Sequence, residues 1–174
     1  MKILAIAASN SLQSINKKLL THVATLLAPL DVELIDINKY EVPIYGIDKE
    51  IEKGIPSEIL ELSQKIKNSD FLIFSLAEHN GSYTAAFKNI FDWLSRVPDT
   101  KGFHNRKTLL LATSPGSRGA STVLEIARDR FPRNDASVIG ALSVPSFNEN
   151  FDLEKGIINP DIKQALNDLL HKIK

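Results

Sequence analysis

The feature that most constrains this chain is a repeated order of segments: a short continuous apolar run, a polar loop, then apolar residues at helical spacing. Lys2–Ala8, KILAIAA, and FLIFSL from Phe71 to Leu76 are apolar at nearly every position rather than at alternate ones. Strands of that kind are buried on both faces, as in a parallel sheet covered by helices. After the first run, Ile15, Leu19, Leu20, Val23, Leu26, Leu27 and Leu30 keep the spacing of one helix face.

The same order continues along the chain. Val32–Ile37 reads as a second strand, and its acidic neighbours Asp31, Glu33 and Asp36 suit a sheet edge. From Asn38 to about Pro56 no period is sustained, so this stretch reads as a long loop of the functional or mobile kind. Ile59, Leu62 and Ile66 mark a helix before the FLIFSL strand. Two adjoining stripes follow, Phe87, Ile90, Phe91, Leu94 and Ala86, Ile90, Trp93, Val97, which predict a helix covered on two sides, by the sheet and by a second subunit. Lys107–Thr113 is a fourth strand, Val123, Leu124, Ala127 and Phe131 mark its helix, Ser137–Val144 is a fifth strand, and Ile162–Ile173 closes the chain as a helix.

These elements predict an α/β protein, a three-layer, doubly wound, five-stranded parallel sheet; segment order does not give the spatial order of the strands, and at this length the flavodoxin-like order 2-1-3-4-5 is favoured, with its switch point between the first and third strands. The 174 residues are enough for a single domain, 1–174. Acidic and basic residues number 21 each, so global charge favours neither nucleic acid nor a membrane surface, although a local basic patch stays open. With no cysteine, disulfides, thiolate metal sites and cysteine nucleophiles are excluded together, and a redox role needs a cofactor. No apolar run has the length of a membrane span and MKILAIAAS lacks the flanks of a secretory signal, so a cytoplasmic location is expected.

The strand-end loops carry the chemistry. In the first, Ser9, Ser11 and Ser14 lead into Ile15, Asn16 and Lys17 at a helix start, where free amides and hydroxyls suit a phosphate. Ordinary capping by Ser14 with solvated Lys17 and Lys18 explains the same residues and stays open. The loop has neither a Walker GxxxxGKS nor a GxGxxG pattern. The third-strand loop offers Ala77, Glu78, His79, Asn80, Gly81 and Ser82, with Asn-Gly able to turn tightly. The fourth offers Ser114, Pro115 and Gly116. No nucleophile elbow is present, and His22, His79, His104 and His171 lack the spacing of metal ligands, so no metal site is expected.

At these residues the chain resembles the NADPH-dependent FMN reductase family, flavodoxin-like proteins that include quinone, chromate and azo-dye reductases. Glu78-His79-Asn80-Gly81-Ser82 is similar to the family's Pro-Glu-Tyr-Asn-Gly/His-Ser run, and Phe87, Lys88, Asn89, Asp92 and Trp93 to its Leu-Lys-Asn-x-x-Asp-Trp continuation. Ser9, Ser14 and Asn16 match its Gly-Ser-x-Arg-x-x-Ser-x-Asn loop, Ser114-Pro115-Gly116 its Ser-Pro-Gly, and Pro43-Ile44-Tyr45 its Leu-Pro-x-Tyr-like segment. The resemblance implies FMN, its phosphate in the Ser9–Asn16 loop and its ring against Ala77–Gly81 and Ser114–Gly116. It also implies NADPH or NADH as cosubstrate, a small-molecule electron acceptor (quinone, azo compound, flavin or metal oxyanion), and a homodimer or homotetramer. The flavin carries the chemistry, so no protein side chain is expected to be catalytic.

The chain departs from the family pattern at four positions: Ala8 for glycine, Ser11 for arginine, Ala77 for proline and His79 for tyrosine. Loss of the arginine implies weaker phosphate binding, one charged hydrogen bond being worth about 1.5–3 kcal/mol. Two other functions fit the residues: a flavodoxin-type electron carrier, and a cofactor-free interaction module acting through the Trp93 helix.

Overall fold

The computed structural model describes residues 1–173; Lys174 lies outside the described residues. Its main sheet contains β1 (Lys2–Ala8), β2 (Asp31–Asp36), β3 (Phe71–Leu76), β4 (Arg106–Thr113) and β5 (Ala136–Val144). All neighbours are parallel and the order is β2-β1-β3-β4-β5, the one favoured for a chain of this length. Alternate residues of β1 face opposite layers. Ile3, Ala5 and Ala7 pack with α1 (Ile15–Leu26) and α7 (Pro160–Leu170), while Leu4, Ile6 and Ala8 pack with α3 (Ser57–Lys67), α4 (Ala85–Leu94) and α5 (Ser121–Arg130). Burying each large apolar side chain contributes about 1.5–3 kcal/mol, so a strand covered on both faces has a large stake in its register.

The α4–α5 layer is aromatic. Phe74 meets Phe87, Phe103 and Phe131 with ring centroids 5.9, 5.4 and 5.1 Å apart, all at steep angles. This cluster anchors α4 directly below the third-strand loop. Thr84 starts the helix by accepting from Phe87 N–H at 3.2 Å, and its hydroxyl donates to Ala8 O at the end of β1.

The structure differs from the sequence expectations in specific places. The stretch read as a long loop contains α2 (Ile47–Lys53), a helix with no buried residue. Its isoleucines point outward, so no core-facing period marked it. Glu78–His79 and Ser82–Tyr83 pair as a small antiparallel hairpin, joined by Asn80 and Gly81 at φ 51° and 75°. Two central residues at positive φ are what a two-residue hairpin turn requires, and Asn-Gly provides them. The short helix α6 (Phe147–Asn150) and the hairpin of Phe151–Asp152 with Gly156–Ile157 carry too few residues to show a period. Helix α1 stops one turn before Leu30, and α7 begins at Pro160 behind an Asn159 cap.

The second cover on α4 is not another subunit. Trp93 is 1% exposed, donates from Nε1 to Pro43 O at 2.8 Å and meets Tyr45 edge-on at 5.0 Å. Asn89 supports the same segment: its Oδ1 accepts from Tyr45 N–H at 2.8 Å and its Nδ2 donates to the carbonyls of Val42 and Pro43. The Trp93 stripe therefore belongs to the monomer core. An interaction module acting through that face is ruled out, and the stripe gives no support to a dimer.

Candidate functional site

The C-terminal ends of β1, β3 and β4 lie side by side, so the loops that follow them converge. They enclose a cavity of about 270 Å³ lined by Ser9, Ser11, Ser14, Ile15, Asn16, Ala77, Glu78, His79, Ser114 and Pro115, together with Gln13 and Thr113. Asn80, Gly81 and Gly116 stand outside this lining. Asn80 and Gly81 form the tip of the hairpin beside it. The carbonyl of Gly116 is taken up by Ser146 N–H at 3.0 Å and Gly119 N–H at 3.1 Å, which fixes the fourth-strand loop from below. Gln13 and Thr113 have side-chain types common in any loop or strand end, which is why their sequence context did not single them out.

The first loop is a set of hydrogen-bond donors. Ser9 Oγ accepts from Ser11 N–H, Ser11 Oγ from Gln13 N–H, and Ser14 Oγ from Lys17 N–H at 3.1 Å. Each oxygen is thus held as an acceptor, leaving its O–H hydrogen to donate elsewhere. Among the described residues, the amides of Ile15 and Asn16 have no acceptor, as the first turn of a helix dictates. Lys17 does not add charge here: its Nζ is 2.6 Å from Asp36, and that hydrogen bond holds the Asp36 carboxyl below its ordinary range. Capping by Ser14 and a donor-rich helix start therefore coexist.

Asn16 is 2% exposed, and its side chain works inside the fold. Oδ1 accepts from Ser75 Oγ–H at 2.9 Å and Thr113 N–H at 3.1 Å, while Nδ2 donates to Thr113 O at 3.1 Å. It ties α1 to the ends of β3 and β4, leaving only its backbone amide for a ligand. Glu78 is also engaged: Oε2 accepts from Val123 N–H at 2.9 Å. Helix α5 has no capping side chain of its own because Ala120 precedes it in the left-handed region, so Glu78 caps it from the hairpin. The third-strand and fourth-strand walls are thereby joined. An added Cβ at Gly119, φ 58°, would collide with Ser143 and Pro145, so the turn before α5 requires glycine. His79 is exposed at the cavity wall.

A parallel sheet in this order with a donor-rich crevice at its switch point defines a flavodoxin-like protein. The model of the NADPH-dependent FMN reductase family matches residues 1–149, and the chain belongs to that family. It is accordingly an FMN-dependent NAD(P)H oxidoreductase by class. An uncharacterized protein of Mycoplasma pneumoniae is 32% identical over 88% of this chain and 92% of its own. A probable NADPH:quinone oxidoreductase of Oryza sativa is 26% identical over 75% of this chain and 64% of its own. The flavoenzyme NAD(P)H:(acceptor) oxidoreductase FerB of Paracoccus denitrificans shares the fold with a TM-score of 0.80 at 20% identity, covering 98% of this chain and 93% of that one.

The residues present suit FMN on donor chemistry. Two free amides and three serine hydroxyls belong to residues lining this one cavity, neutral donors beside the positive end of a helix dipole, which suit a phosphate dianion. No lysine or arginine lines the cavity. The absence of the family's arginine at Ser11 is not made up by another cation in the lining.

Proposed function

We propose that the strand-end cavity holds FMN, with the phosphate at Ser9, Ser11, Ser14 and the amides of Ile15 and Asn16, and the ring between Ala77–Gly81 and Ser114–Gly116. The donor set of the first loop is the observation that carries this reading. FMN held there would supply hydride-accepting chemistry toward NADPH or NADH and electron delivery to a small-molecule acceptor. The chain's own residues hold and shape. Ser14 keeps α1 capped while its hydroxyl hydrogen is left free to donate, and Glu78 ties the hairpin to α5. His79, exposed on the hairpin at the cavity wall, would offer its ring face to a flat ligand.

The acceptor class best supported is a quinone, because named relatives in Oryza sativa and Escherichia coli are quinone reductases. Azo compounds, free flavin and metal oxyanions need the same open electrophile site. The chain works as one domain in the cytoplasm and as a homodimer or homotetramer. Ile44, Ile47 and Ile51, which are 76%, 52% and 79% exposed, support self-association, since they present large apolar side chains along one short segment. Among the described residues no helix is long and apolar enough to cross a membrane.

The test is FMN uptake by Ser14→Glu, which puts a carboxylate where the phosphate would sit. The wild type should quench FMN fluorescence on binding and Ser14→Glu should not, with circular dichroism unchanged. Equal affinity in the two proteins would place the phosphate elsewhere.

A further inference from the structure

A groove of about 420 Å³ runs along α1, and Gln13 and Ser14 line both it and the strand-end cavity. The two meet at the start of the helix, where the phosphate of FMN would lie. From Ser14 the groove follows Lys18, His22 and Thr25, positions that share one helix face. At a rise of about 1.5 Å per residue it extends about 16 Å, the length of a nucleotide rather than of an ion. Its opposite wall is the hairpin that pairs Phe151–Asp152 with Gly156–Ile157. Gly156, φ 74°, lies so close on the His22 ring that an added Cβ would overlap it, and Phe151 meets that ring edge-on at 5.6 Å. The hairpin is thus seated directly on α1.

The lining matches the parts of an adenosine monophosphate. Lys17 is held by Asp36, whereas Lys18 has no carboxylate partner among the described residues, so one uncommitted cation stands a turn beyond Ser14 for a second phosphate. Leu12 on the first loop and Leu153 on the hairpin are 88% and 74% exposed, and both line the groove. Apolar side chains so exposed gain by covering a flat surface such as a base. Burial, with Lys163 adding to it, holds His22 below its ordinary range, so its ring is neutral and carries one donor and one acceptor nitrogen. The edge of adenine offers the complementary acceptor and donor. Glu154 is the one carboxylate of the lining. A carboxylate there accepts from free ribose hydroxyls and repels a 2′-phosphate, which disfavours the adenosine of NADPH. Continuity with the flavin phosphate favours FAD over NADH, because only FAD carries adenosine covalently beyond that phosphate.

We propose that this chain binds FAD as well as FMN, with the flavin half in the strand-end cavity and the adenosine monophosphate half in the α1 groove among Lys18, His22, Leu153 and Glu154. This assignment rests on the strand-end reading, since the first phosphate of FAD is the one at Ser14.

The test titrates flavin-free protein with FMN and with FAD, followed by calorimetry and amide chemical shifts. Both flavins should bind and shift the strand-end loops. FAD alone should also shift Thr21, His22, Leu153 and Glu154, and should bind about tenfold more tightly, the lower worth of one charged hydrogen bond. Lys18→Ala should remove that advantage while FMN affinity is retained, and Leu153→Asp, at an exposed position, should likewise weaken FAD and not FMN. Binding of FMN without FAD, or of FAD with no shifts in the groove and equal affinity in both variants, overturns the groove assignment and leaves the strand-end site standing. Binding of neither flavin overturns both. Groove shifts produced by NADP⁺ on FMN-loaded protein and not by FAD would give the groove to the cosubstrate and overturn the assignment too.

Discussion

Asn16 separates what a residue does through its side chain from what it does through its amide. Its side chain joins Ser75 and Thr113 inside the protein, so Asn16→Ala leaves the Thr113 N–H and C=O unpaired. Denaturant unfolding should show a loss of about 2–4 kcal/mol, since two buried backbone groups lose their partners. A loss below half a kilocalorie would mean that water replaces the amide. Matching a motif indicated that Asn16 matters but not how, because sequence spacing cannot say where a side chain points. Ser14 was more legible. Capping and phosphate binding were competing readings of it, and both survive because its oxygen accepts from Lys17 N–H while its hydrogen is free. Lys17 was legible only as a cation; its pairing with Asp36 joins α1 to β2, which adjacency in sequence does not reveal.

At the level of elements, the strands were legible because four are largely apolar runs and the second interleaves acidic with apolar residues as an edge strand does, and all five lie within one residue of the expected spans. Helix α2 was not, since a helix that buries nothing leaves no periodic trace. The second cover of α4 was misassigned for a related reason: apolar breadth on a helix shows that something covers it, not what. The segment around Pro43 and Tyr45 does so, held by Asn89 and Trp93. Asn89→Ala removes three hydrogen bonds from that segment and should lower stability by about 1–3 kcal/mol. Trp93 is the chain's single tryptophan, so acrylamide quenching of its fluorescence reads the segment directly and should increase in the variant. Unchanged quenching would show that Tyr45 packing alone keeps it in place. The Glu78 bond to Val123 is likewise invisible in sequence, because its partners are 45 residues apart.

For the whole molecule, two half-buried histidines set a pH dependence. Burial lowers His22 below its ordinary value, assisted by Lys163, and lowers His104 with help from Lys67 and Arg106. The unfolded chain therefore binds these protons more readily than the folded one, and stability is lost as pH falls below about 6.5. The urea midpoint should drop between about pH 7.5 and about pH 5.5, and His22→Gln should flatten that drop, if linkage at His22 contributes as its burial implies. An equal drop in the variant would assign the effect elsewhere. Fold class was legible from segment order alone, and the position of the crevice followed from strand order. The donor set inside it needed coordinates, because free amides and hydroxyl hydrogens are defined by which partners are absent. The central claim is that this crevice carries FMN that a nicotinamide can reduce. Its most direct test is the anaerobic visible spectrum of FMN-loaded protein mixed with NADPH or NADH. Loss of the flavin absorbance on mixing is the predicted result. Protein that takes up FMN but keeps its absorbance with both nicotinamides would be an electron carrier instead, and protein that takes up none would contradict the account outright.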